Sequence, residues 1–132
     1  MKKHGILNSH ISKVLSDMGH TDQLTIADCG LPITTHVEKI DLAIRLGEPD
    51  FISVLKTVMS DMKIERIILA EEIKQYNPNL LAEIQQLVNP LIEIQFIDHD
   101  SFKKQTHKSK AIIRTGEATP YANIILQSGV IF

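Results

Sequence analysis

Tryptophan is absent from this 132-residue sequence and cysteine occurs once, at Cys29. A lone thiol cannot close an intrachain disulfide, so the chain must fold on its hydrophobic core alone. The six glycines, at 5, 19, 30, 47, 116 and 129, are too dispersed for a Walker loop or a GxGxxG turn, which removes the usual phosphate cradles of nucleotide-binding proteins. Neither HExxH nor a paired CxxC occurs, so no recognised metal-ligand spacing is present. Apolar runs fall short of the roughly 18 residues that would span a bilayer. The opening MKKHGILNSHISKV begins like a signal peptide, but Asn8, Ser9 and His10 break its apolar run before an h-region can form. An excess of charge of either sign is also lacking: 14 Lys and Arg against 16 Asp and Glu give a net charge of -2, with the basic residues scattered. That balance leaves no electrostatic footprint for nucleic acid or an anionic membrane. A soluble, cytoplasmic protein with neither of those partners is the expectation.

What is present is ordinary globular material. Apolar residues at 43% and charged residues at 23% suit one domain over residues 1–132 with a contiguous core. Ser9 can cap a helix carrying Ile11, Val14, Leu15 and Met18 on one stripe, with Gly19 ending it in a left-handed conformation. Leu24 to Asp28 reads as a short buried strand stopped by CGLP, and residues 39–45 alternate as a second strand. Helical periodicity runs from Phe51 to Met62, followed by a strand in IERIILA. Asn77 and Pro78 form a cap and first-turn pair for a helix reaching Val88. Strands are expected in LIEIQFID, KAIIRT, ANIIL and GVIF, with a turn of helix from Ser101 to Thr106. This alternation predicts a single three-layer α/β domain with helices on both faces of a mostly parallel or mixed sheet. In open sheets of this class ligands sit outside the carboxyl ends of strands, where Asp28 and His99 both fall.

Several side chains can carry chemistry. His20 follows Gly19, so the last carbonyls of the first helix should lie near an imidazole that exchanges protons around neutral pH. It is either an acid or a surface histidine finishing a helix. Asp28 can anchor sugar hydroxyls or orient a histidine, because a carboxylate accepts several hydrogen bonds, or it can serve the turn. Cys29 has no basic residue within several positions to stabilise a thiolate and reads as a small buried residue. In PYAN, Tyr121 offers a ring and a hydroxyl, and Asn123 a donor and an acceptor. That suits a small polyhydroxylated ligand or an ordinary loop.

The segments KKHGILNSH, GHTDQLTIADCGLP and TGEATPYANIILQSGVIF together resemble the ribose pyranase and fucose mutarotase family, on its ribose pyranase side. The resemblance covers nearly the whole chain, with residues 43–95 adding only the α/β rhythm. It implies an isomerase that interconverts the pyranose and furanose rings of D-ribose without a metal or organic cofactor. His20 matches the proton donor, and Asp28, His99, Tyr121, Ala122 and Asn123 match sugar-binding positions. Ring-shaped homo-oligomers, decamers or octamers, are implied as well. The competing expectations are a mutarotase of fucose or another aldose and a non-catalytic sugar-binding module.

Overall fold

The computed structural model describes residues 1–132. Asn8, not Ser9, caps the first helix, its Oδ1 accepting from Ile11 N at 2.9 Å. That helix, α1 (Ser9–Asp17), buries Ile11 and Val14 and leaves the helical conformation at Met18, before Gly19, which does not take a left-handed conformation. β1 (Gln23–Ala27) and the edge strand β2 (Glu38–Asp41) follow. β2 is shorter than the expected strand over 39–45. Asp41 accepts from Ala43 N at 3.1 Å and from Arg114 Nη1 at 3.1 and 3.2 Å, turning the chain where the alternation would have continued.

Asp50 caps α2 (Phe51–Met59), which buries Phe51, Val54, Leu55 and Val58. β3 (Ile64–Ala70) leads through the one-turn helix α3 (Ile73–Tyr76) into α4 (Pro78–Leu87). Helix α3, four residues long, is too short to leave a periodic signature in the sequence. Asn77 holds the cap position of α4, but its side chain makes no capping bond. β4 (Glu93–Ile97), α5 (His99–Thr106), β5 (Ala111–Arg114) and β6 (Ile124–Ser128) complete the chain. GVIF is not a strand: β6 runs out of partner at Ser128, opposite the first residue of β3, and residues 129–132 continue beyond the sheet.

The sheet order is β2-β5-β1-β6-β3-β4, with β6 antiparallel to both neighbours and every other pair parallel. The mixed α/β sheet is the one expected. Period-2 alternation splits the central strands between two cores. Leu24, Ile26, Ile67, Leu69, Ile113 and Ile124 pack under α1, α2, α3 and α4, while Ala27, Ile68, Ile112 and Ile125 pack under Phe102 of α5. Because the parallel strands share a direction, β1, β3, β4 and β5 end at one edge of the sheet. The reversed β6 begins there, just after Asn123. No helix is long and apolar enough to cross a membrane.

Candidate functional site

Asp28 leaves the end of β1 with both carboxylate oxygens oriented. Oδ1 accepts from Gly30 N at 2.9 Å, and Oδ2 accepts from Asn123 Nδ2 at 2.8 Å. Asn123 Oδ1 in turn accepts from Asp28 N at 2.9 Å. Asn123 is only 1% exposed, so its amide serves first to hold Asp28. Each Asp28 oxygen retains a lone pair for a ligand hydroxyl.

His99 begins α5 and donates its backbone N–H to Glu72 Oε1 at 3.0 Å. Its ring stands edge-on to Tyr121, with centroids 5.0 Å apart, and lies over Phe102 at 6.4 Å. Tyr121 is further packed on Tyr76 at 5.6 Å. The backbone of Tyr121 has φ 56, a conformation a side-chain-bearing residue adopts at a cost, and it is held there by its surroundings. Asn77 is one such support: its Nδ2 donates to Thr119 Oγ1 at 3.0 Å and to Pro120 O at 2.9 Å, pinning the loop that carries Tyr121. Asp28, Leu31, Pro32, His99, Tyr121 and Asn123 line an open cleft of about 350 Å³ at the carboxyl edge of the sheet. Ala122 does not line it; its side chain is fully buried in the larger core.

Two polar atoms beside the cleft are buried without a partner, Glu72 Oε2 and His99 Nδ1. Buried polar groups are nearly always bonded, so His99 Nδ1, on a residue that lines the cleft, has hydrogen-bonding capacity left over. The sequence signal for Glu72 is slight: an acidic pair, Glu71 and Glu72, directly after the buried strand β3.

His20 is not in this cleft. It lies beyond the amino end of β1, one strand away, roughly 16 Å along the chain direction. There it lines a second cavity of about 290 Å³, with Leu15, Met18, Asp61, Lys63 and the C-terminal segment Gly129–Phe132. Its neighbour Thr21 sits at φ 70, anchored by Thr21 N donating to Ser128 O at 2.9 Å. A β-branched residue in that region is a genuine outlier, so the turn presenting His20 is held against its own preference. The imidazole partner is not a helix end: His20 Nε2 lies 2.9 Å from Glu65 Oε2. Hydrogen bonds from Gln127 and then His20 hold the Glu65 carboxyl below its ordinary range.

Cys29 gains neighbours that its sequence position did not reveal. Arg114 Nε donates to the Cys29 carbonyl at 3.2 Å, and Arg45 and Arg114 line a cavity with Cys29. Both guanidinium groups are engaged with carboxylates, Glu48 and Asp41. No three His, Cys, Asp or Glu side chains converge as a metal site would require.

Comparison with known proteins agrees over the full length. A D-ribose pyranase of Bacillus cereus (strain ATCC 10987 / NRS 248) is 55% identical over 133 residues, covering 100% of both chains. The solved structure of Bacillus subtilis RbsD complexed with D-ribose superposes with a TM-score of 0.96 at 48% identity, again covering 100% of both. A Streptococcus pneumoniae fucose mutarotase in complex with L-fucose shares the fold, with a TM-score of 0.77 at 23% identity over 96% of this chain and 95% of that one. Residues 1–131 match one family description throughout, and the chain belongs to the RbsD / FucU transport protein family.

Proposed function

We propose that this protein is a D-ribose pyranase, interconverting β-D-ribopyranose and β-D-ribofuranose by acid/base ring opening and closure. One observation carries the reading. A chain similar over its whole length to D-ribose pyranases forms, at the carboxyl edge of its sheet, a small cleft with an oriented carboxylate and aromatic walls. Such a cleft suits a monosaccharide, whose hydroxyls need acceptors and whose C–H faces pack on rings.

In the reaction a proton goes to the ring oxygen O5 as the C1–O5 bond breaks, while the C1 hydroxyl gives up its proton and becomes the aldehyde. The C4 hydroxyl then adds to C1, losing its proton as the carbonyl oxygen gains one. Protons are exchanged and no oxidant or reductant is consumed. A group that exchanges protons near neutral pH serves both directions. His20 takes this role, with Asp28 accepting hydroxyl hydrogens and Tyr121 and His99 walling the sugar. Asn123 acts through Asp28.

His20 and Asp28 are a strand apart within one chain, and a proton does not pass directly over that distance. The two ends of the sheet meet only if one copy contributes His20 to the cleft of another. Contact between two different surfaces is heterologous and closes into a ring when the rotation allows. Exposed Ile131 and Phe132, 89% and 100% accessible beside His20, supply apolar surface for such a contact. The protein thus works as a ring-based homo-oligomer, a decamer or octamer, in the cytoplasm, where its single cysteine would stay reduced.

NMR saturation transfer between pyranose and furanose anomeric signals tests the reading. Exchange should accelerate with the wild type and return to the uncatalysed rate with folded His20→Ala. Wild-type exchange in that variant would remove His20 as the acid and move the role to His99. Binding of D-ribose without any acceleration would make the protein a sugar-binding module, and a larger effect on L-fucose would make it a mutarotase of another aldose.

A further inference from the structure

A row of side chains runs across the α5 face of the sheet and ends at His20. Gln105 Nε2 of α5 donates to Gln23 Oε1 at 2.8 Å, and Gln23 Nε2 donates to Gln127 Oε1 at 3.3 Å. Gln127 Nε2 donates to Glu65 Oε1 at 2.8 Å, and Glu65 Oε2 faces His20 Nε2 at 2.9 Å. The sheet register explains how these residues meet. Gln23 and Gln127 are directly opposed on β1 and β6, while the pairing of β3 with β6 shifts between Ile64 and Arg66. Glu65 is the extra residue of that bulge, a device that re-aims a side chain. A Cβ added at Gly129 would lie 3.1 Å from Glu65 Cβ, so the chain also closes tightly over it.

The direction of the row is dictated from one end. An ionised carboxylate only accepts hydrogen bonds, so Gln127 must present its NH2 to Glu65 and its oxygen to Gln23. Gln23 must then present its NH2 to Gln127 and its oxygen to Gln105. By the same rule His20 must present an N–H to Glu65, and the facing nitrogen is Nε2. Glu65 is the one side chain bonded to this imidazole. Of the nearby charged residues, Asp22 is taken by Gly19 N at 2.9 Å and by Lys110 at 3.4 Å, and Asp61 and Lys63 line the cavity without bonding to the ring.

We propose that Glu65 is the positioning residue of the acid, fixing His20 as the Nε2–H tautomer so that the proton exchanged with the sugar travels on Nδ1. The glutamine row holds Glu65 in turn as an acceptor. This rests on the reading of His20 as the acid and adds the atom, the tautomer and the residue that sets them. In the neutral ring Nδ1 is bare and can take a proton; in the imidazolium Nδ1–H can give one. Neither step disturbs the Nε2–H bond to Glu65, so the ring need not turn between the two halves of the reaction.

The test combines ¹⁵N NMR of His20 with kinetics of Glu65→Gln and Glu65→Asp. In the wild type the neutral ring should carry its hydrogen on Nε2. In Glu65→Gln, Gln127 still donates to Oε1, so the new amide NH2 faces the imidazole and the hydrogen should switch to Nδ1. Turnover should fall about 10-fold or more, within the ~10²- to 10⁴-fold contribution of a general acid, while KM stays within about twofold. Glu65→Asp, which keeps the charge, should keep the Nε2–H tautomer and recover part of kcat. If Glu65→Gln does not fold, Gln127→Met, which removes the donor but leaves the carboxylate, should lower kcat by a smaller factor. Nδ1–H in the wild type, or unchanged kcat in these variants while His20→Ala loses all catalysis, would overturn the proposal alone. Full activity in His20→Ala would instead overturn the acid assignment, with the tautomer measurement still deciding the Glu65 contact.

Discussion

Asp28 and Asn123, 95 positions apart, hold each other through two hydrogen bonds: backbone N–H to amide oxygen, and amide NH2 to carboxylate. The pair joins the end of β1 to the start of β6, so the carboxylate that lines the cleft is set by two adjacent strands rather than by its own turn. Asn123→Ala leaves Asp28 N–H without its partner and the carboxylate free to rotate. Stability should fall by about 1 to 3 kcal/mol, the range for orphaning a buried polar group. The KM for ribose should rise by about 10-fold, with kcat changing less. Denaturant melts and saturation-transfer kinetics measure the two effects, and an unchanged KM would mean that Asp28 does not need Asn123 to meet the sugar.

Gly116 is constrained by its neighbours, not by its own backbone angles. An added Cβ would lie 2.4 Å from both Glu48 N and Glu48 O, backbone atoms that cannot step aside without moving the loop after β2. Gly47 N and Gly116 O bond across the same gap. Gly116→Ala should therefore destabilise by about 1 to 3 kcal/mol, as overpacking does. A melting temperature equal to the wild type would show that this loop yields freely.

The strands were legible in the sequence because their apolar runs are short, β-branched and bounded by breakers; IERIILA is β3 residue for residue. Elements failed where long-range bonds decided. β2 stops because its one partner, β5, ends at Arg114 and Asp41 turns back to accept from Ala43 N, and GVIF is not a strand because β3 begins at Ile64, opposite Ser128. The cleft was half legible. Asp28, His99, Tyr121 and Asn123 converge, helped by strand ends that fall on one edge, but nothing local places His20 at the other edge. Glu65, Gln127 and Gln23 were invisible for the same reason as Asp41: their roles exist only in the register between strands.

Cys29 should remain dispensable, although the fold puts arginines near it that the sequence neighbourhood did not suggest. Arg114 donates to the Cys29 carbonyl, and its charge is matched by Asp41, as Arg45 is matched by Glu48. A thiolate would have to compete with both carboxylates. Cys29→Ala should keep most of the wild-type turnover, and chelator treatment should leave it unchanged. A large loss in either experiment with the fold intact would reopen a thiol or metal role.

Asp98 gives α5 a measurable acid dependence. Its carboxyl accepts from Ser101 Oγ at 2.6 Å and Ser101 N at 2.8 Å, and these bonds, the side-chain one foremost, hold it below its ordinary range. A carboxyl depressed in the folded state stabilises at pH above its unfolded value and loses that contribution as pH falls through its folded value. Asp98→Asn should lower the melting temperature at neutral pH, with the difference from wild type shrinking as the pH falls through and below the ordinary carboxylate range. A gap independent of pH would assign the effect to helix capping geometry instead of charge.

Subunit mixing tests whether His20 and Asp28 of one active centre come from different chains. On the roles proposed above, His20→Ala and Asp28→Ala should each be inactive alone, the first for want of the acid and the second for want of the sugar anchor in every centre. In a co-assembled ring a centre formed between two subunits can draw an intact His20 from one parent and an intact Asp28 from the other. Random one-to-one mixing makes about a quarter of such centres complete, so about a quarter of wild-type exchange should return. A centre contained within one chain would recover nothing, because every chain carries one of the two lesions. Co-expression with differently tagged copies, tandem purification to select mixed rings and saturation transfer on the product give the measurement. Activity no higher than that of the parents would place both residues' work within a single subunit, and since a strand separates them there, His20 could then not be the acid.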